Sequence, residues 1–69
     1  MKLTWIGGHR ITVTSDGQSV VISANKEGLM SLAANLLGLA VEETGSHIHL
    51  DEHNALEDHS LELIIEKTV

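Results

Sequence analysis

The stretch Ile11-Thr12-Val13-Thr14-Ser15-Asp16-Gly17-Gln18-Ser19-Val20-Val21-Ile22 reads as a β-hairpin. Asp16-Gly17 is a preferred pair for a two-residue type I′ turn, because both central positions need positive φ. A loop of that length sets Ser15 opposite Gln18, Val13 opposite Val20 and Ile11 opposite Ile22. Opposed residues share a face, so Ile11, Val13, Val20 and Ile22 form one apolar patch. Thr12, Thr14, Ser19 and Val21 form the other, more polar face. Pattern and turn agree on the register, as a hairpin requires. Upstream, Leu3 and Trp5 continue the apolar parity, and Gly7-Gly8 marks a bend before His9.

A helix is expected next, from Lys26 to Val41 or Glu42. Asn25 suits the N-cap, and Glu27 in the first turn suits the helix dipole. Leu29, Leu32, Ala33, Leu36 and Ala40 recur at helical spacing, with Leu39 beside them, and are the expected core face. Gly28, Ser31, Asn35, Gly38 and Glu42 fall on the opposite, small and polar face. Met30, Ala34, Leu37 and Val41 widen the apolar arc to about 220° at 100° per residue, where ~100° covers a core. The extra flank implies a further contact, and a homodimer is expected.

Beyond Gly45-Ser46, His47-Ile48-His49-Leu50-Asp51 alternates as a strand. Ile48 and Leu50 point one way, and His47, His49 and Asp51 the other. A loop runs from Glu52 to Ser60. The last strand is Leu61-Glu62-Leu63-Ile64-Ile65-Glu66, with Leu61, Leu63 and Ile65 inward. The fold class is therefore α+β: a four-stranded, mainly antiparallel sheet in ββαββ order with one helix on one face, and a single domain over residues 1–69.

Composition narrows the function. The net charge is −6, with ten acidic residues against four basic ones. Nucleic acids and anionic membranes are recognised by Lys and Arg, so both are poor partners for this chain. A basic protein would be attracted. There is no cysteine, hence no disulfide and no thiolate metal cage, which fits the cytoplasm. Met1 to Ile6 is too short and mixed for a secretory signal, and no apolar stretch is long enough to span a bilayer. In a chain this short, hydrophobic burial and the entropy of ordering nearly cancel, so association with a partner would help.

The sharpest chemical constellation is His47-x-His49-x-Asp51. Residues two apart on a strand lie ~6.6 Å apart on one face, so two imidazoles can approach one metal ion. Asp51 would add a carboxylate, and His53 or His59 a further ligand; zinc or nickel suits such donors. The plainer reading is a solvated polar face. Catalysis has weaker support. Ser46 beside His47 is not a nucleophile–base pair by sequence, Gly7-Gly8 is not a phosphate loop, and the chain is short for a water-excluding pocket. The chain is read as a non-enzyme that needs no cofactor.

Three segments carry a resemblance. Ser23-Ala24-Asn25-Lys26-Glu27-Gly28-Leu29, then Gly45-Ser46-His47-Ile48-His49-Leu50-Asp51, then Leu61-Glu62-Leu63-Ile64-Ile65-Glu66 resemble the immunity protein thirty-two family of bacterial polymorphic toxin systems. The resemblance covers roughly residues 20 to 67, and the histidine-leucine-aspartate segment is its most specific part. It implies a protein that neutralises a toxin encoded beside it, and it assigns no catalytic residue. The expected contact surface is the acidic, histidine-bearing one: His47, His49, Asp51, Glu52, His53, Glu57, Asp58 and His59. The alternatives are a small metal-binding domain built on His47, His49 and Asp51, or a dimeric interaction module of another kind.

Overall fold

The computed structural model describes all 69 residues. Five elements follow one another: β1 (Ile11–Ser15), β2 (Val20–Ala24), α1 (Lys26–Ala40), β3 (His47–Leu50) and β4 (Leu63–Glu66). The ββαββ order and the α+β class hold. The single four-stranded sheet does not. β1 pairs with β2 and β3 with β4 in two separate antiparallel sheets.

The free edge of β1 explains the separation. It is occupied by the irregular segment before β4: the Glu57 N–H donates to the Ile11 carbonyl and the Leu61 N–H to the Val13 carbonyl, both at 2.8 Å. The Ser60 hydroxyl accepts the Val13 N–H at 3.2 Å. The five residues from Glu57 to Leu61 thus run alongside only three of β1, Ile11 to Val13. His59 takes up the slack at φ 70°, a left-handed conformation that no strand continues through.

The hairpin forms with a shifted turn. Val13 pairs with Ile22 and Ser15 with Val20, two residues from the expected register. Asp16 is the cause. Its Oδ1 accepts the N–H groups of Gln18 and Ser19 at 2.9 and 2.8 Å, and its own N–H donates to the Ser19 carbonyl. Asp16 therefore flanks the turn instead of lying inside it. Gly17 takes the positive φ, 93°, of a first central residue. A two-residue shift preserves parity, so Ile11 and Val13 still face the core at 0% and 1% exposure. β2 is an edge strand, and Val20 and Ile22 on it remain largely exposed.

α1 begins where expected. Asn25 Oδ1 accepts the Gly28 N–H at 2.8 Å and the Arg10 N–H at 3.0 Å, while its amide donates to the Gly8 carbonyl. One side chain thus caps the helix and fastens it to the start of β1. The face turned inward is the correction. Gly28, Ser31, Leu32, Asn35 and Leu39 are buried, whereas Leu29 and Leu36 are exposed. Relative to the expected orientation the helix is turned by roughly one residue, ~100°.

The N-terminal segment accounts for that rotation. The Ile6 N–H donates to Ser31 Oγ at 2.9 Å. Asn35 accepts the Thr4 N–H at 3.1 Å and donates to the Thr4 carbonyl at 2.9 Å, as a neighbouring strand would. Ser31 and Asn35 are buried because they satisfy this extended backbone. Gly28 is required by close approach: a Cβ there would lie 2.7 Å from the Arg10 carbonyl oxygen and 2.9 Å from Ile11 Cγ1. At the far end of the helix, Lys67 Nζ donates to the Glu42 carbonyl at 2.6 Å.

The core joins Ile11 and Val13 of β1, Leu32 and Leu39 of α1, and Ile48 and Leu50 of β3 to Ala55 and Leu56 of the β3–β4 loop. Leu3, Trp5, Ala24, Leu63 and Ile65 pack around it. Leu61, expected inward, is half exposed because it precedes β4 and belongs to the segment along β1.

Candidate functional site

The β3–β4 connection carries most of the expected contact residues, and its shape follows from three side chains. Asp51 Oδ1 accepts the His53 N–H at 2.8 Å, and the Asp51 carbonyl accepts from Asn54, Ala55 and Leu56. Asn54 Oδ1 accepts the Asp51 N–H, and its amide donates to the His49 carbonyl, both at 2.8 Å. Glu52 Oε2 accepts the His59 N–H at 3.0 Å across the loop. Ala55 and Leu56, each about 5% exposed or less, anchor this turn in the core. The result is a loop tied by its own hydrogen bonds, with Glu52, His53, Asp58 and His59 exposed.

Alternation along β3 does the rest. Ile48 and Leu50 are buried, so His47 and His49 stand on the outer face of the β3–β4 sheet, away from α1. Their ring centroids are 5.6 Å apart. His49 Nδ1 lies 3.2 Å from Glu62 Oε2, a neighbour the sequence reading did not include. Glu57 turns toward β1, where a carboxylate oxygen lies 3.5 Å from Arg10 Nε. Both pairs are substantially exposed, and solvent leaves such pairs little net stabilisation.

The structure therefore brings together His47 and His49, and separately Glu52 with His59 and Asp51 with His53. It does not bring His47, His49 and Asp51 around one point: the Asp51 carboxylate is turned into its own loop. No group of three His, Asp or Glu side chains is placed to hold a metal ion. Two shallow depressions open to solvent, one lined by Glu42, Glu43, Thr44, Ser46 and His47, the other by Arg10, Thr12, Ser23, Asn25 and Glu57. In the second, Asn25 is committed to the helix cap and Glu57 to Arg10.

The chain is a small α+β protein whose acidic, histidine-bearing β3–β4 loop is exposed above the buried Ala55 and Leu56. The model of one family, Immunity protein 32, matches residues 19–68, most of the chain, and the chain belongs to that family. Membership suggests an immunity protein without catalytic activity and implies a toxin as partner. No curated protein and no solved structure matches the chain. No helix is long and apolar enough to cross a membrane.

Proposed function

We propose that this chain neutralises its cognate toxin by binding it directly, through the surface formed by His47, His49 and the Asp51–His59 loop. The observation that carries this reading is the outward presentation of that hydrogen-bonded loop, with Ala55 and Leu56 buried beneath it. A preorganised loop loses little conformational freedom on binding, which favours affinity. The partner is a basic protein. With a net charge of −6, complementary fields speed encounter and orient docking. Under this reading the chain works in the cytoplasm and masks the toxin's substrate-binding surface.

Asp58 is exposed and makes no hydrogen bond or ion pair within the chain, so it is a clean probe. The test is co-expression with the product of the adjacent gene, followed by affinity purification and a growth assay. A stoichiometric complex and rescued growth are expected, and Asp58→Lys should slow association about tenfold at low salt. A toxin that is neither bound nor restrained would remove the reading.

A further inference from the structure

Residues 1–6 lie along α1 without belonging to either sheet. Three hydrogen bonds hold them there: Asn35 engages both the N–H and the carbonyl of Thr4, and Ser31 accepts the Ile6 N–H. Their only backbone–backbone bond is a turn, from the His9 N–H to the Ile6 carbonyl at 3.1 Å. One long ion pair, 4.0 Å from the Met1 amino group to Glu42, closes the far end. None of residues 1–9 is buried, and Leu3 and Trp5 reach only the margin of the core. The body beneath is different, because all eight buried apolar residues lie from Ile11 onward.

We infer that residues 1–6 form a strap that leaves α1 and re-docks on it as one unit, hinged at Gly7-Gly8, while the ββαββ body stays folded. A segment opens by itself when it shares few bonds and little buried surface with the rest of the fold, and the strap meets both conditions. The hinge is free to turn: a Cβ on Gly7 or Gly8 would meet nothing within 4 Å. Gly8, at φ 85°, sets the docked direction of the chain in a conformation that glycine adopts without steric cost. A latch crosses the hinge. The Trp5 and His9 rings stack with 5.2 Å between centroids and 24° between planes, and His9 Nδ1 lies 3.1 Å from the Ile6 carbonyl oxygen.

Opening changes the surface of α1. Under the strap Ser31 and Asn35 are 2% and 3% exposed, with Leu39 in the same helical row and Leu32 next to it. This row offers a hydroxyl, an amide that both donates and accepts, and an apolar floor, which together match an extended backbone. In the closed state its occupant is the chain's own residues 3–6. Once the strap leaves, water can satisfy the two polar side chains, which lowers the cost of opening. The histidine face of the β3–β4 sheet points away from α1, so the strap does not depend on what the acidic surface binds.

Trp5 is the one tryptophan of the chain, so its fluorescence reports the strap while far-UV circular dichroism reports the body. In urea the Trp5 signal should change at lower concentration, and with a shallower slope, than the dichroism. By hydrogen exchange, Thr4 and Ile6 should share one opening event, with protection at least about 100-fold below that of the β3 and β4 amides and little affected by low urea. Gly8→Val penalises the docked turn and touches nothing else; it should lower Thr4 and Ile6 protection about tenfold and leave the dichroism midpoint unchanged. Coincident Trp5 and dichroism transitions would overturn the inference. So would Thr4 and Ile6 amides that exchange only by global unfolding, or a Gly8→Val chain in which β3 and β4 lose protection equally.

Discussion

At the scale of single residues, Asp16, Asn25 and Gly28 hold the hairpin and the helix in place. Backbone N–H groups of Ser19, and then of Gln18, hold the Asp16 carboxyl below its ordinary value of 3.8. A carboxyl with a depressed folded-state pKa stabilises the fold fully above its unfolded value, and that contribution is lost as pH falls through the depressed one. The side-chain carboxyl resonance of Asp16 should therefore titrate with a midpoint below 3.8, and Asp16→Ala should flatten acid dependence in that window. Asn25→Ala removes a helix cap and two ties to the hairpin at once, and about 2 kcal/mol of destabilisation is expected by urea unfolding. Gly28→Ala gains ~1 kcal/mol of helix propensity but drives a methyl into the Arg10 carbonyl, so a net loss of about 1–2 kcal/mol is expected. The cap at Asn25 was legible in the sequence because capping is local. The turn was legible only as a turn: Asp16-Gly17 suits two positions, and the bonds made by the Asp16 carboxylate decide between them.

At the scale of elements, local periodicity located all four strands and the helix to within two residues, because alternation and helical spacing are properties of neighbouring positions. Orientation and pairing were less legible. Amphipathicity assigned Leu29 and Leu36 to the core and Ser31 and Asn35 to solvent, and the structure reverses both pairs. The reversal depends on residues about thirty positions away, where the Thr4 and Ile6 backbone needs partners. Asn35→Leu tests it: the Thr4 and Ile6 amides should lose protection from hydrogen exchange while those of β3 and β4 keep theirs. The division into two sheets was hidden for a similar reason, since no pattern in Glu57–Leu61 announces a segment that bonds to β1 at only two carbonyls. In the histidine strand, parity correctly placed His47 and His49 on one face, while the Asp51 side chain was taken by the loop that follows. Adding zinc to untagged protein should accordingly leave its thermal midpoint unchanged; a rise of several degrees that disappears in His47→Ala/His49→Ala would restore the metal reading.

At the scale of the whole molecule, two surfaces of opposite character lie on opposite sides of a thin body. One is the charge-free outer face of α1, the other the acidic and histidine-bearing face of β3, β4 and their loop. A chain with only eight buried apolar residues has a small core. The candidate contact residues were legible as an acidic, histidine-rich run; the shape of their loop was not, because it depends on Asn54 and on the burial of Ala55 and Leu56. Steering by the acidic face predicts that toxin association slows steeply with ionic strength, while Leu37→Glu leaves the intrinsic affinity for toxin unchanged. The most direct measurement is titration of the purified chain into the product of the adjacent gene, with calorimetry for stoichiometry and a parallel toxicity assay. A saturable complex at one chain per toxin, weakened by Asp58→Lys and accompanied by loss of toxicity, is the predicted result. Heat no greater than that of dilution, with toxicity undiminished at excess chain, would contradict direct neutralisation.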